Sequence, residues 1–429
     1  MKYDLIIFGG GTAGIASAYI ASKYGLNTLL VEKTDVLGGS ITRGLVLPCM
    51  KVNSQDINTE FITDLKAFAD NYSARHKYMD GNEHWFNPEL LKIVFDEMLT
   101  NVKCNVLFST EPVKVVYKSI NPSFEVTLVH KLLSLYTDTN YIVDATADGK
   151  IFQLLNCEFQ PQSENTQAAT LRFIMTNIDC KKFSQWLKEI DSNTDVTTID
   201  NANNQIYLST AYTWDDSKNW ALKPVFEAAV KDGVLKYSDT AYFQLFSVPG
   251  MPDALAFNCP RIILEDDENL NDPFVYSRAL RQGRERIYRI GKFCIKYLPG
   301  FEKAYISHIA DMLGIRESYR IKGKYTVTAD DIRSPKKFDN IAFATDYPID
   351  IHTNKPEKDK LEYIGEPCLI PVEALISNEF DNLYAAGRNI SADFDAHSAI
   401  RTQINCFSMG EAASKDIYYK IKSNLNKKQ

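Results

Sequence analysis

The stretch "YDLIIFGGGTAGIASAYIASKYGLNTLLVEK", Tyr3 to Lys33, decides the fold. Tyr3–Phe8 is apolar and rich in β-formers, the pattern of a strand buried on both faces. Gly9-Gly10-Gly11-Thr12-Ala13-Gly14 follows and contains a GxGxxG turn. Gly9 permits the tight reversal, Gly11 lets backbone N–H groups approach a pyrophosphate, and Gly14 lets the next helix lie close on the strand. That helix has small residues early, at Ala13, Ala16, Ser17 and Ala18, which permits the close packing. Its N-terminal dipole and free N–H groups favour an anion. A second strand, Asn27–Val31, ends in Glu32, and an acid at this spacing accepts hydrogen bonds from a ribose diol. Glu32 would repel a 2′-phosphate, so NADP is disfavoured. On these residues alone NAD and FAD both stay open.

Composition narrows the class. A chain of 429 residues allows up to about three domains. The formal net charge is -7, and the basic end "KIKSNLNKKQ" reads as a solvated tail, so no nucleic-acid partner is expected. Eight cysteines have neither CxxC nor zinc-like Cys/His spacing, which argues for a reducing compartment and against a disulfide scaffold or metal site. The apolar run Leu5–Ala21 is broken by glycines and reads as strand, turn and helix rather than as a membrane span. A strand pattern beginning by Tyr3 leaves no room for a signal peptide, and the expectation is a cytoplasmic protein with no membrane partner.

Beyond Glu32, "TDVLGGSITRGLVLPCMKVN" is a glycine-containing loop, followed by helical patterns near Thr59–Ser73 and Pro88–Val102. The short β runs "NVLFST", "EPVKVVYK", "SFEVTLVH" and "NYIVDATADG" leave little room for crossover helices and suggest an antiparallel meander. A meander inserted into a parallel sheet is unlike a plain NAD dehydrogenase. From about Gln160 the rhythm changes: "QAATLRFIMTNID", "AYFQLFSVPG" and "ALAFNCPRIIL" read as strands. "KKFSQWLKEI" and "WALKPVFEAAVKDG" read as helices, and a long helical region runs from about Pro273 to Leu313. Near the end, "FDNLYAAG" is a strand and a helix begins near Ser398. The expected fold is α/β. It is a glutathione-reductase-type FAD-binding Rossmann fold with an antiparallel meander insertion, residues 1–160 and 330–429, plus an α+β substrate or cap domain, residues 161–329.

Six segments, among them "DLIIFGGGTAGIASA", "VEKTDVLGGSITRGLVLPCM", "YIVDATADGKIFQLLNCEF", "GIRESYRIKGKYTVTADDI", "YPIDIH" and "LIPVEALISNEFDNLYAAGRNISADFDAHSAIRTQINCFSMGEAA", together resemble the bacterial FAD-dependent oxidoreductases. These are relatives of the fumarate reductase and glutathione reductase flavoproteins, and the segments occur in the expected order. The resemblance implies FAD as cofactor. It places Gly9, Gly11, Thr12, Ala13 and Gly14 on the pyrophosphate, and Glu32, with Lys33 beside it, on the adenosine ribose. Gly38, Gly39, Ser40 and Arg43 would run along the phosphates and the flavin edge, and the Val113 backbone would meet the adenine. Ala145 and Asp148 lie in the segment resembling the second glycine motif, which here has Ala147 where Gly is usual. Gly387 is followed by Arg388 rather than Asp, which passes the ribityl or pyrophosphate contact to a cation. Arg401, Thr402 and Gln403 fall in the first turns of the Ser398 helix, where a helix N-terminus stabilises the N1–C2=O edge of reduced flavin.

Few further groups are needed, because the flavin accepts the hydride. His352 and His397 lie in recognised segments and read either as a base near neutral pH or as satisfied structural histidines. Arg316 and Arg320 share a face if a helix runs through them. They could clamp a substrate carboxylate, with Arg401 as a further catalytic candidate, or pair with Glu317 and tie the two domains together. Cys49 could link to the flavin or simply pack. The expected function is hydride transfer between a small organic substrate and flavin N5. The alternatives are a flavin-dependent monooxygenase using external NAD(P)H, a non-catalytic electron carrier, and a non-flavin NAD-binding protein. With no second GxGxxG and no CxxC pair, electrons would come from substrate, an external donor or a redox partner protein.

Overall fold

The computed structural model describes residues 2–52, 57–162, 167–191, 193, 196–202, 204–213, 220–265, 268–353 and 359–426. The opening strand Lys2–Phe8 runs parallel to Thr28–Val31 on one side and to Leu133–Asp144 on the other. Asn105–Leu107 extends the sheet beyond Thr28–Val31, and Leu383–Ala385 joins the end of Leu133–Asp144, both in parallel. Leu5, Ile6, Ile7 and Phe8 are all fully buried, as a strand covered on both faces requires.

Leu133–Asp144 makes the meander possible. Its residues from Asp138 onward pair with the opening strand, while its residues up to Thr139 pair antiparallel with Ser123–His130. Ser123–His130 in turn pairs with Glu111–Lys118. One long strand thus serves the parallel sheet and the meander, and it starts well before the expected "NYIVD" run.

Against the parallel sheet lie Thr12–Lys23 and the long closing helix Gln403–Asn426. Their approach is close because both faces are small. A Cβ on Gly410 would come 2.0 Å from the Ala13 carbonyl oxygen, and Ser17 Oγ meets Ser414 Oγ at 2.8 Å.

A six-stranded antiparallel sheet forms a second body. Its order is Thr197–Ala202, Gln205–Thr213, Tyr242–Val248, Met251–Phe257, Phe173–Thr176 and Tyr305–Ile309. Helices Cys180–Ile190, Lys223–Lys231 and Pro273–Tyr297 pack on it through Phe183, Phe226 and Phe293, against Phe173, Phe243 and Phe257. Apart from Leu45, this apolar cluster draws its buried members from Ala169 to Leu313.

Several sequence expectations are corrected here. The long helical region ends at Tyr297, where Pro299-Gly300 follows and Gly300 takes φ +93°; Tyr305–Ile309 is a strand. "QAATLRFIMTNID" splits into Ala169–Thr170, paired with Arg261–Ile262, and Phe173–Thr176 in the large sheet. "ALAFNCPRIIL" is divided at Pro260, which lacks the ladder N–H. Arg316 and Arg320 lie in an irregular segment between Tyr305–Ile309 and Ala329–Arg333, so they share no helical face. The closing helix begins at Gln403 rather than Ser398. Ser398 belongs to a separate helix, Phe394–Ile400, whose Asp393 cap accepts a hydrogen bond from Ala396 N at 2.8 Å. Among the described residues, no helix is long and apolar enough to cross a membrane.

Candidate functional site

The glycine turn is held rigidly around an opening. Gly9 takes φ +94°, and a Cβ there would meet the Ala145 carbonyl oxygen at 2.5 Å. A Cβ on Gly14 would fall 1.8 Å from the Gly9 carbonyl oxygen, whereas one on Gly11 would meet nothing within 4 Å. The helix starting at Thr12 and Ala13 has Gly11 as its N-cap and no side-chain cap. Its first N–H groups are therefore left for an anion.

Glu32 is buried and does a structural job at once. Its Oε2 accepts from Gly10 N at 2.6 Å, and its Oε1 accepts from Thr34 N at 2.9 Å and Thr34 Oγ1 at 2.7 Å. A carboxylate has further lone pairs for a ribose hydroxyl. Lys33 is exposed beside it. Gly38 N donates to Gly10 O at 2.8 Å, and a Cβ on Gly39 would approach Gly11 Cα to 3.1 Å, so the Gly38–Ser40 loop lies on the turn. The Arg43 carbonyl accepts from Asp311 N at 3.0 Å and ties this loop to the second body. Val113 is exposed on the meander.

The return segment follows the shared strand. Ala145 N donates to Phe8 O at 2.8 Å. Ala147 adopts φ +71°, a backbone conformation that favours glycine. Its carbonyl accepts from Ser318 Oγ at 3.1 Å and Arg388 Nε at 3.4 Å. Arg388 Nη2 also meets Asp148 Oδ1 at 2.6 Å, and Nη1 donates to the Ile315 carbonyl at 2.5 Å. Burial alone would raise Asp148, but the Arg388 charge, hydrogen bonds from Ser318 and Arg388 and the Lys33 charge together hold the carboxyl below its usual range. Arg388 is thus engaged by protein acceptors. Gly387, at φ +109°, gives its N–H to Met409 Sδ at 3.3 Å.

His397 is fully buried and its Nε2 lies 2.7 Å from the Arg388 carbonyl oxygen, so Nε2 carries the proton. Burial, then the charges of Arg320 and Arg401, push it well below the usual imidazole range. Its Nδ1 has no hydrogen-bond partner, and neither has the buried Thr402 Oγ1. Gln403 Nε2 donates to Ser40 Oγ at 3.2 Å and Val46 O at 3.3 Å, which fastens the start of the closing helix to the glycine loop. Cys49 is fully buried and burial pushes its thiol well up, the state of an inert packing cysteine.

The remaining candidates form a closed polar ring. Arg401 Nη2 donates to Gln167 Oε1 and to the Asp350 carbonyl, both at 3.2 Å. Asp350 stands between the buried Ile349 and Ile351 of a short strand, His352 follows directly after it, and His352 Nε2 meets Asp350 Oδ1 at 3.2 Å. Arg261 Nη2 lies 3.2 Å from His352 Nδ1, and a guanidinium only donates, so Nδ1 accepts and Nε2 carries the proton. Arg261 faces Thr170 across a two-strand ladder. Arg316 Nη1 donates to Thr170 Oγ1 at 3.1 Å and to the Ala168 carbonyl, next to Gln167. Burial would raise Asp350, but its hydrogen bond from His352 and the charges of Arg401 and Arg316 hold it well below the carboxylate range. Burial also lifts Tyr242, beneath Arg261, to about 12. Glu317 takes the Gln167 N–H at 3.2 Å, and burial raises it to about 7 against the opposing charge of Arg320.

Sequence reasoning missed Gln167, Arg172, Arg261 and Asp350, and named Glu317 only as a partner for the arginines. Arg172 did leave a signal, a charge inside the otherwise buried run Leu171–Met175. Arg320 does pair with Glu317, at 3.5 Å, as one of the two expectations had it.

These residues fit FAD. There is open space before Gly11, an uncapped helix behind it, spare lone pairs on Glu32, and the orphaned Thr402 Oγ1 at the start of the closing helix. Fold and site define a Rossmann-like dinucleotide-binding protein. The family model described as FAD dependent oxidoreductase matches residues 4–429. The chain belongs to the FAD-dependent oxidoreductase family, and FAD is its cofactor.

One stretch of 58 residues is 38% identical to the digeranylgeranylglycerophospholipid reductase of Thermoplasma volcanium, covering 14% of this chain and 15% of that protein. The reductase of the same name from Thermoplasma acidophilum gives the same values. The match thus spans about 15% of the length of these curated relatives. Among solved structures, a geranylgeranyl bacteriochlorophyll reductase-like protein of Thermoplasma acidophilum aligns over 99% of this chain and 79% of its own, at 14% identity and TM-score 0.47. A flavin-dependent brominase aligns over 98% and 80%, at 12% identity and TM-score 0.46.

Proposed function

We propose that the protein moves a hydride between a small organic substrate and N5 of FAD, with the substrate seated on the polar ring. The observation that carries this reading is the junction at Arg401–Gln403. There the ring, through Arg401, adjoins the start of the closing helix, and Gln403 reaches back to the glycine loop.

In this reading the FAD part is of the glutathione-reductase type, residues 1–160 and 330–429, with 161–329 as the cap. Support comes from the strand shared between sheet and meander and from the separate apolar cluster of the second body. Gly9, Gly11, Thr12, Ala13 and Gly14 would hold the pyrophosphate, with Glu32 and the nearby Lys33 at the ribose and Val113 at the adenine. Gly38, Gly39, Ser40, Arg43, Thr402 and Gln403 would face the flavin side. Ala145 closes the turn from behind, while Asp148, Gly387 and Arg388 brace it. Bound FAD supplies the acceptor for the electron pair. Arg401 and the helix N-terminus would place positive charge beside the reduced ring, which is anionic. Arg316 orients the substrate, and His352 Nε2–H is held by Asp350 at the same ring. His397 is a positioning residue under Arg388.

The test is anaerobic bleaching of the purified holoprotein by a panel of hydroxy acids, amino acids, amines and sugars. Bleaching by at least one class is expected. Reduction by NAD(P)H alone, speeded by an aromatic substrate, would replace the reading with a monooxygenase. Reduction only by a purified redox protein would replace it with an electron carrier.

A further inference from the structure

The polar ring carries an uneven charge. Arg261 is matched, because Asp359 takes it with both oxygens, at 3.2 and 2.7 Å. Asp350 is matched too, by His352 Nε2 at 3.2 Å and the Tyr347 hydroxyl at 3.1 Å. Arg172 and Arg316 differ. Among the described residues, neither has a carboxylate within ion-pair distance. Arg172 Nη1 donates to the Leu47 carbonyl at 3.3 Å, and Arg316 Nη1 has only the Ala168 carbonyl and Thr170 Oγ1. Each guanidinium has five N–H donors, so both keep donors to spare.

Both side chains also lie deep. Burial lowers Arg172 to about 10, and burial with the charges of Arg401, Arg261 and Arg172 lowers Arg316 to about 9, so both stay cationic at neutral pH. Each nonetheless retains some accessible surface. Two orphaned donors lie on the Arg316 side: Gln167 Nε2, on a side chain only 4% exposed, and Arg401 Nε. Buried cations without a counter-charge are costly, and guanidinium pairs best with a planar anion. The cofactor's pyrophosphate does not supply that anion in this arrangement, since it falls to the Gly9–Gly14 turn.

We propose that Arg316 and Arg172, together with Gln167, bind a carboxylate group, and that the substrate is a small organic acid. This rests on the reading that a substrate on the ring exchanges a hydride with the flavin. Arg316 and Gln167 stand on the ring itself, and Arg172 lies between the strands Ala169–Thr170 and Phe173–Thr176, two residues from the Thr170 that Arg316 bonds. A neutral substrate of the same shape would leave both charges unpaired.

The experiment titrates the FAD-loaded protein with acetate, lactate and benzoate, and with acetamide, lactamide and benzamide as neutral counterparts. Binding is followed by calorimetry and by perturbation of the flavin spectrum. At least one acid is expected to saturate, and its amide to bind at least about tenfold more weakly. R316M and R172M should each weaken the acid at least about tenfold, while R316K loses less. FAD content and thermal midpoint of each variant check that it is folded. Amides binding as well as acids, acids that bind nowhere, or folded R316M and R172M proteins with unchanged acid affinity would overturn the proposal. A flavin bleached by a neutral donor alone would sink the acid class and leave hydride transfer standing. Acid binding seen calorimetrically, with a flavin that no donor bleaches, would do the reverse.

Discussion

Gly11 separates a glycine kept for a ligand from one kept for the fold, and Gly11→Ala against Gly14→Ala makes the separation measurable. Gly11 has φ -77° and ψ -171°, a conformation alanine adopts freely, and its new Cβ would touch nothing within 4 Å. The apoprotein should therefore keep its stability, or gain about 0.4–1 kcal/mol by restricting the unfolded chain. The same methyl stands in the space before the uncapped helix, where the proposed pyrophosphate contacts need close backbone approach. Loss of even one such charge-assisted hydrogen bond is worth about 1.5–3 kcal/mol, which is roughly a ten- to hundredfold weaker Kd. Gly14→Ala is the opposite case, with a Cβ 1.8 Å from the Gly9 carbonyl oxygen, and should fail to fold. Urea unfolding of the apoprotein and fluorescence titration with FAD supply the two numbers. A Gly11→Ala protein that binds FAD like the wild type would refute the placement of the pyrophosphate. One that unfolds would refute the description of the turn.

Two further outcomes follow from side chains near the site. A carboxyl raised from 4.5 to about 7 binds its proton more tightly folded than unfolded, so stability falls as pH rises through that window. Glu317→Gln should therefore match the wild-type apoprotein near pH 4 and exceed it by up to about 3 kcal/mol near pH 8, in denaturant titrations at the two pH values; parallel pH profiles would contradict this. Ala147 pays about 1–2 kcal/mol for its left-handed backbone, partly offset on replacement by the extra freedom of unfolded glycine. Ala147→Gly should raise stability by about 0.5–1 kcal/mol, and a fall would show that its methyl packs usefully.

What the sequence could show was decided by range. The strand, turn and helix from Tyr3 to Glu32 announce themselves because every signal lies within a few residues. The meander does so through short β runs, except that the first of them, Asn105–Leu107 in "NVLFST", joins the parallel sheet instead. The break between Ile400 and Gln403 left no trace, since "SAIRTQINC" has neither proline nor glycine and stays compatible with helix throughout. Arg316 was singled out as a clamp, but on a helix that does not exist; its partners Ala168 and Thr170 come from one segment far away in the sequence. The elevated Glu317 likewise depends on burial and on Arg320, which no local pattern encodes. Gly410 looked like one more residue of a helix, and only the close crossing with Ala13 gives it a reason.

A crystal structure of the FAD complex tests the central claim most directly. The expected density has the pyrophosphate within hydrogen-bond distance of the N–H groups that follow Gly11, the ribose on Glu32, and the isoalloxazine between the Gly38–Val46 loop and the ring of Arg316, His352 and Arg401. A flavin ring seated away from Arg401 and Gln403, or a pyrophosphate away from the Gly9–Gly14 turn, would contradict it.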